Sequence, residues 1–175
     1  MSNEIKVNFE NLTEDERKEL MRLVEKSSEP KSKIWKPGKD EEYYFIDNFG
    51  TNDNSIWNDD SVDFRRYDIG NVFKTRKEAE LAARKQKVIV ELEQYAIEHN
   101  EDDINWNGTE CKYKYSIAYN HGKKELIVIP NKVLEDMGQI YFTSIKIASD
   151  AINAVGLDSI EKYMFGVEVE ESEKY

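Results

Sequence analysis

The chain has one cysteine, Cys111, which excludes an internal disulfide and a multi-cysteine zinc site. Its two histidines, His99 and His121, stand at a predicted helix end and in a predicted hairpin turn. Neither has the neighbouring Cys, Ser or acidic motif of a catalytic or metal centre, so both read as surface residues. No stretch approaches 18 consecutive apolar residues, so no helical membrane span is expected. The start Met1-Ser2-Asn3-Glu4 does not read as a signal peptide, and the expectation is a cytoplasmic protein of bacterial or viral origin. There is no phosphate-binding glycine loop and no dinucleotide fingerprint. Cationic excess is also missing. The net charge of −11 argues against non-specific binding to nucleic acid or an anionic membrane. The reading is of a protein that is not an enzyme, with no cofactor and no metal. Asp53, Asp59, Asp60 and Asp63 are dense, but they lack the spacing and the distal glutamate of a calcium loop.

What is present is aromatic and charged. Ten Tyr, seven Phe and three Trp supply the apolar area of a folded core. One pattern occurs twice: Phe73-Lys74-Thr75 leads to Ala79 and Ala82, and Phe142-Thr143-Ser144 leads to Ala148 and Ala151. The physics is that of a helix start, with Thr75 and Ser144 as N-caps and Glu78 completing a capping box in the first copy. Each copy follows a predicted hairpin. Tyr43 to Ile46 and Ser55 to Trp57 flank a polar turn over residues 48–54; Tyr113 to Tyr119 and Glu125 to Ile129 flank a turn at 120–123. Tyr44 lies 29 residues before Phe73, and Tyr115 lies 27 before Phe142.

The expected fold class is α+β, with two similar antiparallel hairpin-plus-helix, or ββ(β)α, units after an N-terminal helix. Residues 1–30 form a short strand or extended arm (Ile5, Val7, Phe9) and a helix capped by Thr13. Residues 31–100 form the first unit, with a long helix from about Arg76 to His99. Residues 101–175 form the second, with helices ending at Gly156 and near Phe165 and an acidic tail. Residues 58–63 read as a polar loop, and 65–73 as a further short strand or turn. The narrow stripe of Leu12, Leu20, Leu23 and Val24 needs a covering surface: the rest of the chain, a target, or a second copy in a homodimer through this helix.

Charge is segregated. Residues 40–63 hold eight acids and no Lys or Arg, and residues 98–110 hold five acids and no Lys or Arg. Residues 74–87 hold six basic and two acidic groups. One reading is that the acidic loops imitate a phosphate backbone and occupy a basic groove on a partner, through Asp53, Trp57, Asp59, Asp60, Asp63, Glu101, Asp102 and Asp103. The alternative is nucleic-acid binding through Arg65, Arg66, Tyr67, Lys74, Arg76, Lys77 and Arg84, which the net charge disfavours. A third reading is a pocket between the two units that sequesters a small molecule such as a nucleotide.

At Trp35-Lys36-Pro37, Glu42-Tyr43-Tyr44-Phe45-Ile46, Trp57, Arg66-Tyr67-Asp68-Ile69-Gly70-Asn71-Val72-Phe73-Lys74-Thr75 and Glu78-Ala79-Glu80, the chain resembles a recurrent group of small phage and prophage proteins. These come from Gram-positive bacteria and are mostly uncharacterised. Asp40-Glu41-Glu42 stands where that group usually has Gly-Glu. The resemblance covers about residues 12–100 well and the second half loosely. It implies a phage accessory gene, and such genes often encode inhibitors of host defences, including anti-CRISPR proteins. The partner it implies is a host protein or protein–RNA complex in the bacterial cytoplasm.

Overall fold

The computed structural model describes residues 12–28, 33–101, 104, 106 and 112–168. The fold is α+β and divides into two compact units, Met1–Lys36 and Pro37–Tyr175. The predicted arm at residues 5–9, Asp102, Asp103, Cys111 and the end of the acidic tail lie outside the described residues.

Helix α1 (Glu14–Ser28) belongs to the first unit. Its start is a capping box: the Glu16 N–H donates to the Thr13 hydroxyl, and the Thr13 N–H donates to the Glu16 carboxylate at 2.8 Å. Three acids fill its first turn, where the helix dipole favours them. Leu20 is half-buried, and Met21, Leu23 and Val24 are exposed.

In the second unit, strands β1 (Glu42–Ile46) and β2 (Asn52–Ile56) form an antiparallel hairpin. The return strand begins earlier than the sequence predicts. The Asp47 carboxylate accepts from the Phe49 and Thr51 N–H groups and the Thr51 hydroxyl, which closes the turn within five residues. Residues 52–54 are thereby free to pair in the ladder. Helix α2 (Ser61–Asp68) stands where a loop and a strand were expected. Asp60 caps it by accepting from the N–H groups of Val62 and Asp63, and the Asp63 side chain reaches back to the Asp60 N–H. An Asp–x–x–Asp box replaces the more familiar Ser/Thr–x–x–Glu. Helix α3 (Arg76–His99) has the predicted bounds, with Thr75 and Glu78 as its reciprocal cap.

Strands β3 (Lys114–Asn120) and β4 (Glu125–Asn131) form the second hairpin, and β4 runs through Pro130. Proline is tolerated there because β4 is an edge strand. Helices α4 (Ile145–Val155) and α5 (Leu157–Phe165) follow, separated by Gly156 at φ +100°. Tyr113, at the head of the alternating Tyr113, Tyr115, Ile117 and Tyr119, is exposed, while the intervening Lys114 and Ser116 are buried. The Lys114 ammonium lies 4.3 Å from the Trp106 ring centre, so its charge is held against an aromatic face.

The two hairpin-helix units share one set of backbone bonds. Tyr44 and Phe73 exchange N–H···O bonds of 2.9 and 2.8 Å, and Tyr115 and Phe142 do so at the same lengths. Each bridge adds the residue before the helix to the hairpin as a short third strand. The following hydroxyl then caps the helix: Thr75 accepts from Glu78 N–H, and Ser144 from Ile147 N–H. Ala79 and Ala148, at equal offsets, are fully buried. Their small side chains let the helix starts pack closely. Val88, Leu92 and Ala96 of α3 form one core with Ile117, Phe142, Ala148, Ala151 and Ile160. α3 is therefore the shared wall of both units. Phe142 is fully buried, but Phe73 is only partly covered, so the two bridging phenylalanines are not equal core anchors.

Candidate interaction surface

The first hairpin and α2 enclose a small polar centre. The Tyr43 hydroxyl donates to Asp63 at 2.8 Å and accepts from Arg66 Nη1 at 2.8 Å. The other Asp63 oxygen accepts from the N–H groups of Asn58 at 2.7 Å and Asp60 at 3.4 Å. Burial raises the Asp63 pKa, but the Asn58 N–H, the Tyr43 hydroxyl, the Asp60 N–H and the Arg66 charge together outweigh it and hold the carboxyl below its ordinary value. Burial raises the Tyr43 phenol above its ordinary value, against the pull of Arg66. The Arg66 guanidinium also lies 3.5 Å from the Phe45 ring centre. Trp57 is fully buried, edge-on to Tyr43, Phe64 and Tyr67, and its Nε1–H donates to Asp59 at 2.7 Å.

These contacts divide the predicted partner-binding residues. Trp57 and Asp63 hold the fold and are sealed from any surface a partner touches, so the expected aromatic anchor and one of the carboxylates are withdrawn. Asp60 caps α2 but remains exposed, as do Asp53 and Asp59. Glu101 is exposed too, with its N–H donating to the Thr143 hydroxyl. Three acids that sequence reasoning did not single out, Asp40, Glu41 and Glu42, are exposed beside them. The Asp40 N–H donates to the Trp57 carbonyl and the Trp57 N–H to the Glu41 carbonyl, which closes the open end of the hairpin. Asp40 and Asp59 both adopt left-handed backbone, at φ 65° and 60°. Aspartate tolerates this region better than most residues, so the carboxylates are set at fixed positions on a tight chain reversal.

The predicted basic set is divided as well. Arg66 and Tyr67 are half-buried in the polar centre, and Arg65 is exposed on α2. Lys74, Arg76, Lys77 and Arg84 are exposed at the start of α3. Only Lys77 and Arg84 of the set line an open groove of about 1120 Å³ between the first hairpin turn, α3 and α5.

Two residues with matched roles escaped the sequence reading. Asn71 accepts from the Ile46 N–H and donates to the Ile46 carbonyl, both at 2.8 Å. Gln139 donates to the Ile117 carbonyl at 3.2 Å. Ile46 and Ile117 each stand two residues after the bridging tyrosine, so the amide side chains extend the third strand in both units. The available signal was a glycine followed by an amide: Gly70-Asn71 and Gly138-Gln139, with the glycines at φ 73° and 75°. No family model, no curated protein and no solved structure matches the chain. No described helix is long and apolar enough to cross a membrane.

Proposed function

We propose that this chain is a phage-encoded accessory protein that binds a host defence protein or nucleoprotein without catalysing a reaction, and inhibits it by presenting carboxylates in place of a phosphate backbone. The observation that carries the reading is what remains after the fold has used its share. Asp40, Glu41, Glu42, Asp53, Asp59 and Asp60 are exposed on the first hairpin and the segments that flank it, in a stretch of 24 residues with no Lys or Arg. Such a surface attracts a cationic groove and repels nucleic acid, and the attraction weakens with salt. With Trp57 buried, contact is electrostatic at the rim, and the reading requires no aromatic anchor.

The test is capture of partners from an infected host by the wild-type chain and by a charge variant, followed by purified binding. The variant carries Asp40→Lys, Glu41→Lys, Asp53→Lys, Asp59→Asn and Asp60→Asn. Asparagine keeps an acceptor for the Trp57 indole and for the α2 cap. A complex that forms with wild type, falls off with salt and is lost in the variant supports the reading. A complex that survives in the variant rejects the acidic surface as its basis.

A further inference from the structure

The groove between the first hairpin turn, α3 and α5 has an ionic arrangement that the acidic surface does not use. Lys77, Arg84, Lys87 and Lys162 line it. It also contains Asp47, Glu80 and Glu91, but each of these is engaged. Asp47 accepts three hydrogen bonds inside the turn, Glu80 accepts from the Asn52 amide at 3.5 Å, and Glu91 lies 3.6 Å from Lys87. Among the described residues, no carboxylate lies within ion-pair distance of Lys77, Arg84 or Lys162. Lys77 and Arg84 are seven residues apart on α3 and so share a face, with Lys87 three residues further on. The three cover about 15 Å of helix. Two aromatic rings border the same space. Phe49 sits at the tip of the hairpin turn, 90% exposed, and Tyr163 stands on α5 beside Lys162. A phenylalanine at a turn tip with nearly all its surface in water contributes little to folding.

We propose that this groove binds a short single strand of nucleic acid, with backbone phosphates along Lys77, Arg84 and Lys162 and a base stacked on Phe49. Cations spaced along a groove with an aromatic platform at its edge are the two elements of sequence-tolerant single-strand binding. The groove is open and longer than one nucleotide, which favours a strand over a free nucleotide that offers the same phosphate and base. The chain's negative charge does not forbid it. Four cations line the groove against three carboxylates, so its own lining is net cationic. The inference is independent of the acidic-surface reading, and either can fail alone.

The experiment is fluorescence anisotropy of a labelled oligothymidylate titrated with the full chain at low salt. Saturable binding is expected, weakening as salt rises. Arg84→Glu and Lys162→Glu, on different helices, should each weaken it about tenfold or more, and Phe49→Ala about tenfold. Arg65→Glu, outside the groove, should leave it unchanged, and a duplex of the same length should bind more weakly. Circular dichroism checks that each variant is folded. Absence of saturable binding overturns the proposal, as does an equal loss in Arg65→Glu. A Phe49→Ala variant that binds like wild type overturns the stacking, and full displacement by an equal concentration of thymidine monophosphate overturns the strand as ligand.

Discussion

The first hairpin–helix unit bonds Tyr44 to Phe73 and fills the space beside that bridge with Tyr43, Phe45, Trp57, and Asp63 and Arg66, which meet on the Tyr43 hydroxyl. The second bonds Tyr115 to Phe142 in the same way and fills its space with Ile117, Ala148, Ala151 and Ile160. One centre is aromatic and polar, the other aliphatic. In both, the same few backbone bonds, a helix cap and a glycine–amide pair join the helix to its hairpin. The filling is then free to vary, and with it the surface. In the first hairpin–helix unit the buried Asp63 is tolerated because three donors and the nearby Arg66 charge meet it.

The largest expected effect tests where the load lies. Phe142→Ala should cost about 3–5 kcal/mol, as for a fully enclosed ring. Phe73→Ala should cost clearly less, about 1–2 kcal/mol, because part of its surface already meets water. Urea denaturation of both variants measures this, and equal costs would mean that the two bridges carry equal cores. Next are the amides. Asn71→Ala breaks two bonds to Ile46 and should cost about 2–3 kcal/mol, whereas Gln139→Ala breaks one bond and should cost about 1 kcal/mol.

The asymmetry in charge gives a pH test. Asp63 has a lowered pKa in the folded protein, so its contribution is present in full above the ordinary carboxylate value near 4 and is lost as pH falls through the lowered folded value. Asp63→Asn should therefore destabilise the protein by about 1–3 kcal/mol at neutral pH and by progressively less in acid. Denaturation curves at pH 7 and pH 3 measure it; a cost that stays constant with pH would remove Asp63 as a charged member of the centre. The smallest effect should be shared by both units. Gly70→Ala and Gly138→Ala meet no neighbouring atoms but force alanine into left-handed backbone, so each should cost about 1 kcal/mol. Unequal costs would show that the two turns are not built alike.

Local chemistry made much of this fold legible. The bounds of α3, the stop of α4 at Gly156 and both N-caps follow from residues within one turn of each boundary. The similar tyrosine-to-phenylalanine spacings showed the repeat, but not that these residues pair. Helix α2 was not legible: it has eight residues, and an aspartate cap opens a run that also reads as a solvated acidic loop. The candidate surface was legible only as charge. Which carboxylates stay free is decided by bonds across long sequence separations, such as Tyr43 to Asp63, and by the enclosure of Trp57 between Tyr43 of β1 and the aromatic rings of α2. No local pattern distinguishes Asp63 from Asp59.

Native-state hydrogen exchange at the amides of Tyr44, Phe73, Tyr115 and Phe142 tests the shared scaffold most directly. Protection is expected at all four, matched within each bridging pair, with Tyr115 and Phe142 slower because their bridge borders the main core. Exchange at Phe73 or Phe142 as fast as at an open loop would contradict it, because the residue before the helix would then not be bonded to its hairpin.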